Sequence, residues 1–152
     1  MSADPLSQLE SWAGVLLAKL EPPARRKLAV TIARELRRSQ QQRIAAQRDA
    51  EGAPFVPRKP RLRERSGAIR RRAAMFSKLR TARWLRASGT ADAAHVGFAG
   101  RVARIARVHQ EGLRDRPVPN AHEVRYPRRA MLGFSDIDRE RIRDLLWIHL
   151  SR

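Results

Sequence analysis

Cysteine is absent from the 152 residues, so no disulfide staples the fold and no thiolate can bind a metal or act as a nucleophile. Acidic side chains are few. Fifteen Asp and Glu stand against 33 Lys and Arg, a formal net charge of +18, and a balance so one-sided disfavours cationic partners. Only four of the 33 are lysine, and arginine's planar fork suits bidentate contact with phosphate or carboxylate. Apolar residues at 42 % and aromatics at 5 % permit a core, which 32 % charged residues keep small. No apolar run approaches the roughly 20 residues that cross a bilayer. The start, Met-Ser-Ala-Asp-Pro-Leu-Ser-Gln-Leu-Glu, has neither the basic flank nor the apolar run of a secretory signal. The expectation is a protein made and kept in the cytosol, with no membrane partner.

What is present is a basic middle. Residues 54 to 129 carry 20 basic and 5 acidic side chains, whereas 1 to 53 carry 9 and 6 and 130 to 152 carry 4 and 4. Such density attracts polyanions, whether nucleic acid, an anionic membrane or an acidic protein face, through a field that salt weakens. Arg70, Arg71, Arg72, Arg101, Arg104 and Arg107 are the candidate polyanion-facing residues.

Asp4 followed by Pro5 reads as a helix start, with Leu6, Leu9, Ala13, Leu16, Leu17 and Leu20 on one face and an end near Glu21, before Pro22 and Pro23. A second helix follows with a stripe of Leu28, Ala29, Ile32, Ala33 and Leu36, and the two are expected to form an antiparallel hairpin. Past Leu36 the glutamine-rich stretch to Gln47 has only Ile44 and alanines to bury, so its end is expected to protrude. From Asp49 to Gly67, prolines and glycines forbid a regular element of any length, which reads either as an extended arm with Phe55 and Val56 as its anchor or as a mobile linker. Met75, Phe76 and Leu79 are spaced for a short helix over 68–79. Two strands around Ser88-Gly89-Thr90-Ala91-Asp92 make a β-hairpin, with Val124-Arg125-Tyr126 as a third strand.

The stretch from Gly100 to Gly112 organises the chain. Val102, Ile105, Ala106, Val108 and His109 recur at helical spacing with Arg101, Arg104 and Arg107 between them, and Gly112 stands where a left-handed residue ends a helix. In the last helix Ser135 and Asp138 form a capping-box pattern, and Ile137, Ile142, Leu145, Leu146 and Ile148 to Leu150 are assigned to the core face. The fold class is α+β: an N-terminal helical hairpin and further helices packed on a small antiparallel β-sheet, with an extended basic proline-rich arm.

His95, His109, His122 and His149 show no metal-ligand spacing, and no nucleophile motif or glycine-rich phosphate loop accompanies them. No catalytic residue, metal or cofactor is therefore expected, and Asp136, Asp138 and Glu140 read as helix-start charges. A basic DNA-binding accessory protein is the alternative function, although no known reader motif is present.

Several fragments taken together resemble the tail completion proteins of contractile-tailed bacteriophages, the phage virion morphogenesis family. They are Ala24-Arg25-Arg26-Lys27-Leu28, Ser39-Gln40-Gln41-Gln42-Arg43-Ile44, Gly52 through Pro60, Met75 through Arg80, Gly100 through Gln110, Tyr126-Pro127 and Leu132-Gly133-Phe134. Glu111 departs from the pattern, where such proteins usually carry an aromatic. The resemblance implies one tail-completion domain over 1–152, with a hairpin at 1–48, an arm at 49–67 and an α+β core at 68–152. It implies a non-enzymatic structural protein that completes the head-proximal end of a tail and readies it for joining to the head. The partners implied are further copies of itself in a sixfold ring, the tail tube and neck proteins, and non-specifically the packaged DNA. Localisation would be the host cytoplasm during assembly, then the virion tail. Phe55, Val56, His109, Gln110, Tyr126, Leu132 and Phe134 are the candidate subunit or tail contacts.

Overall fold

The computed structural model describes residues 4–59 and 74–151. Its elements are α1 (Pro5–Leu17), α2 (Pro22–Ala45), β1 (Leu85–Gly89), β2 (Ala94–Phe98), α3 (Val102–Glu111), β3 (Arg114–Asp115), β4 (Val124–Arg125) and α4 (Asp136–Leu150). The class is α+β. The chain divides into two compact units, each discontinuous in sequence: residues 1–39, 85–97 and 134–152 form the first, and 40–84 with 98–133 the second.

The first unit is built on helix packing. Leu9 and Ala13 of α1, Leu28 of α2 and Leu146 of α4 form its buried core, flanked by Leu17, Leu20, Ile32, Ile142 and Leu150. Burying each large side chain contributes roughly 1.5–3 kcal/mol. The main partner of α1 is α4, so the expected two-helix hairpin is completed as a three-helix arrangement in which α2 enters with Leu28 and Ile32. Asp4 precedes α1 in an extended conformation, yet its side chain accepts no capping bond. Pro5 at the first position, with its fixed φ, therefore marks the start. The α4 start is a full capping box: Ser135 Oγ accepts from Asp138 N at 3.1 Å, and Asp138 Oδ2 accepts from Ser135 N at 3.0 Å.

That box alters the expected core face of α4. Asp138 is buried, whereas Ile137 and Ile148 are exposed. Turning the capping carboxylate inward, where it meets an otherwise open amide, rotates Ile137 towards solvent. Between β1 and β2 the turn closes through Thr90, whose N–H donates to Ala93 O and whose hydroxyl accepts from Asp92 N and Ala93 N. Gly89 ends β1 directly against α2. A Cβ there would lie 2.5 Å from Val30 N and 2.8 Å from Ala29 C.

In the second unit the glutamine-rich end of α2 does not protrude. Ile44 is fully buried, and the polar side chains around it hold loops. Gln41 donates to Arg80 O, while Gln47 donates to Met75 O and accepts from Met75 N. Residues 49–59 are the described part of the expected arm, and they begin as a closed turn. Asp49 N donates to Ala53 O at 2.9 Å, Asp49 Oδ1 accepts from Ala53 N at 2.8 Å, and Arg48 bridges to Pro54. Residues 60–67 lie outside the described residues, as do 68–73 of the expected short helix. Residues 75–80 make turns only. Phe76 has φ +64°, a left-handed conformation that a helix cannot pass through. The third strand exists but does not extend the hairpin: β4 pairs antiparallel with β3, Arg114 opposite Arg125 and Asp115 opposite Val124, as a separate ribbon.

Candidate functional site

The second unit is organised around the end of α3. Gly112 takes φ 69° and its N–H returns to the α3 carbonyls, ending the helix as its sequence predicts. A Cβ on Gly112 would stand 3.1 Å from both N and Cβ of Arg128, so the missing side chain also lets the 126–131 segment pass close to the helix. Tyr126 N donates to Leu113 O and Arg129 N donates to His109 O at 2.7 Å, laying that segment along α3. Gln110 fixes it further, donating to Leu132 O at 2.8 Å and accepting from Met131 N at 2.8 Å and Leu132 N at 3.0 Å.

Here His109 meets a line of rings. It lies edge-on to Phe76 and to Tyr126, each with centroids 5.0 Å away, and Phe76 meets Phe55 edge-on at 5.8 Å. Edge-to-face pairs of this kind add about 0.5–1.5 kcal/mol beyond the area they bury. The left-handed backbone of Phe76, which costs about 1–3 kcal/mol, is what holds its ring between Phe55 and His109.

Arg129 locks this arrangement. Its side chain is only 5 % exposed, and it donates from Nε to Val56 O at 2.7 Å and from Nη2 to Pro57 O at 3.1 Å, with Nη1 3.3 Å from His109 Nδ1. Since a guanidinium only donates, Nδ1 accepts, and the neutral imidazole carries its proton on Nε2. Burial pushes the His109 pKa below its ordinary value, and the charges of Arg129 and Arg58 push it the same way. Burial, then Arg58, also lowers the pKa of Arg129. Arg129 stays charged all the same, given arginine's intrinsic basicity.

The residues singled out from sequence fall into different places. Phe55 is 6 % exposed, with its ring against that of Phe76, and the adjoining Val56 is 48 % exposed. His109, Gln110, Tyr126 and Leu132 come together around the end of α3, half-buried. Phe134 belongs to the other unit, where it is 40 % exposed. Arg70, Arg71 and Arg72 lie outside the described residues. Ile105, expected on the apolar face of α3, is exposed instead.

The α3 arginines diverge. Arg104 bonds Asp115 Oδ1 at 2.5 Å, and Arg107 reaches Glu111 at 3.3 Å one turn along the helix. Asp115 is held below its ordinary pKa by the backbone N–H of Arg116, then by Arg104. Arg101 lies over the Trp84 indole, 5.5 Å from its centroid, and Arg83 lies over the same indole at 4.7 Å. Among the described residues no carboxylate pairs with either. No three His, Asp or Glu side chains among the described residues converge in a way that could hold a metal ion. Sequence reasoning passed over Arg129 and Gln47. Nothing in their spacing separates them from other solvated polar residues, because each acts on carbonyls far away in the chain.

The model of the phage virion morphogenesis family matches residues 4–151, from the start of α1 to the end of α4. The chain belongs to that family. It is also 36 % identical over 139 residues to tail completion protein S of Escherichia phage P2, a match covering 90 % of this chain and 91 % of the relative. No solved structure matches it. Among the described residues, no helix is long and apolar enough to cross a membrane.

Proposed function

We propose that this family member is a structural protein of phage tail assembly, added at the head-proximal end of the tail, where it completes the tail for joining to the head. It works by contact rather than catalysis, in copies that close into a ring, sixfold to match the tube, and that meet tube and neck proteins. The observation that carries this reading is the full-length relationship to a tail completion protein. The first unit supplies physical support, since its packed helices leave large apolar side chains uncovered: Trp12 and Val15 on α1, and Trp147, which is 65 % exposed, with Ile148 on α4. An isolated subunit has no use for two exposed tryptophans, whereas an assembling one covers them.

The test is complementation of a phage lacking the gene. Wild-type chain should co-sediment with tails and restore infectivity, and Trp12→Glu with Trp147→Glu should leave a folded chain that does neither. Normal tails and infectivity without the protein would overturn the proposal.

A further inference from the structure

We propose that Arg83, Trp84 and Arg101 form a phosphodiester-binding site for nucleic acid. The site stands on geometry that needs no assembly role. Two guanidinium groups lie over one indole, at 4.7 and 5.5 Å from its centroid. Among the described residues neither is neutralised by a carboxylate, although two other arginines on or beside the same helix face, Arg104 and Arg107, are. Two like charges held against one ring repel each other, and an anion beside the forks relieves that repulsion.

Stacking also prepares the forks for such a ligand. Contact with the ring restricts rotamer freedom before binding, while no carboxylate among the described residues occupies the N–H donors. Gly100 turns the chain in front of α3 with φ 65°, and a Cβ there would already be in contact with the Trp84 ring at 3.4 Å. Glycine therefore keeps the approach to the indole edge open. The first turn of α3 holds no acidic side chain that would repel an anion. The surrounding unit decides the ligand class: its described residues carry 15 Lys and Arg against 5 Asp and Glu, a net +10, and a repeating polyanion is what such a field concentrates.

Binding of the full-length protein to a fluorescent DNA duplex, followed as a function of salt, tests the site. One lost phosphate contact lowers the salt slope by about one and weakens binding roughly tenfold at 50 mM salt. Arg83→Ala and Arg101→Ala should each show that loss, with unchanged circular dichroism because both side chains are exposed. Trp84→Leu should weaken binding through loss of the stacking platform. Arg107→Ala, whose guanidinium is already paired, should change affinity less than threefold. Polyglutamate of matched charge should compete poorly. An Arg83→Ala/Arg101→Ala variant that is folded and binds with unaltered affinity and slope would overturn the site. So would an equal loss from Arg107→Ala, which would make the attraction diffuse, or equal competition by polyglutamate, which would make an acidic protein the ligand. Tail co-sedimentation is scored separately, so failure of DNA binding leaves the assembly reading standing.

Discussion

Replacing Arg129 with alanine should loosen the second unit from a single point. The side chain makes two bonds to the carbonyls of Val56 and Pro57 and one to His109 Nδ1. Bonds from a charged donor are worth about 1.5–3 kcal/mol each, so the two carbonyl bonds alone set a range of about 3–6 kcal/mol. Two effects reduce it. Val56 and Pro57 are exposed residues, so water can reach their carbonyls once the guanidinium is gone. Removing a buried cation that no described carboxylate pairs also releases its desolvation penalty. The net loss should be about 2–3 kcal/mol, read as a lower urea midpoint by tryptophan fluorescence. Arg129→Met, which keeps most of the packing volume, separates lost bonds from lost contacts. A local readout accompanies the global one, because the segment pinned by Arg129 runs directly into Arg58. Trypsin should therefore cut after Arg58 faster in native Arg129→Ala than in the wild type. An unchanged midpoint together with an unchanged cleavage rate would refute the claim that Arg129 holds this segment in place.

Two further outcomes follow from the geometry. Gly89→Ala would press a methyl group into the backbone of α2, at 2.5 Å from Val30 N, and should destabilise the first unit by about 1–3 kcal/mol or more; a wild-type urea midpoint would show that β1 does not rest on α2. The lowered pKa of His109 means that the unfolded chain binds its proton more readily than the folded one, so its contribution to stability is complete above the ordinary value of 6.5 and is lost as pH falls through the lower folded value. The urea midpoint of the wild type should accordingly drop between pH 7.5 and 5.5 by more than that of His109→Asn, and parallel pH profiles would contradict the burial of a neutral imidazole.

The local grammar of the chain was legible wherever one residue type decides the backbone. Pro5, Gly112 and the Ser135–Asp138 box mark element ends in the structure where the sequence places them. Side-chain periodicity was less informative. The Ile137 and Ile148 positions read as core but are exposed, because Asp138 occupies the inward place that an apolar residue would otherwise take. Glutamine was the least legible residue. Gln40 donates to Gly133 O and Gln110 pairs with Met131 and Leu132 as a strand edge would, yet neither pattern is visible without knowing which backbone groups lack partners. The left-handed Phe76 was equally hidden, since nothing in its composition distinguishes a ring strained into place from one in a regular helix.

The two units differ in what they can hold on to. The first carries 12 Lys and Arg against 9 Asp and Glu, a net +3, and exposes Trp12, Val15, Trp147 and Ile148, whereas the second carries +15 and exposes Arg83 and Arg101 over Trp84, with no carboxylate among the described residues paired to either. Contacts made through uncovered apolar side chains depend weakly on ionic strength, while contacts made by neutralising phosphates weaken steeply with it, since the Debye length falls from about 10 Å at 0.1 M to about 3 Å at 1 M salt. A single salt titration should therefore separate them. Between 0.1 and 0.5 M salt, DNA binding by the full chain should fall by two orders of magnitude or more if several phosphates are contacted, whereas co-sedimentation with tails, if it runs through the first unit, should persist. Loss of both together would mean that the basic unit carries the tail contact as well, and the uncovered tryptophans would need another explanation.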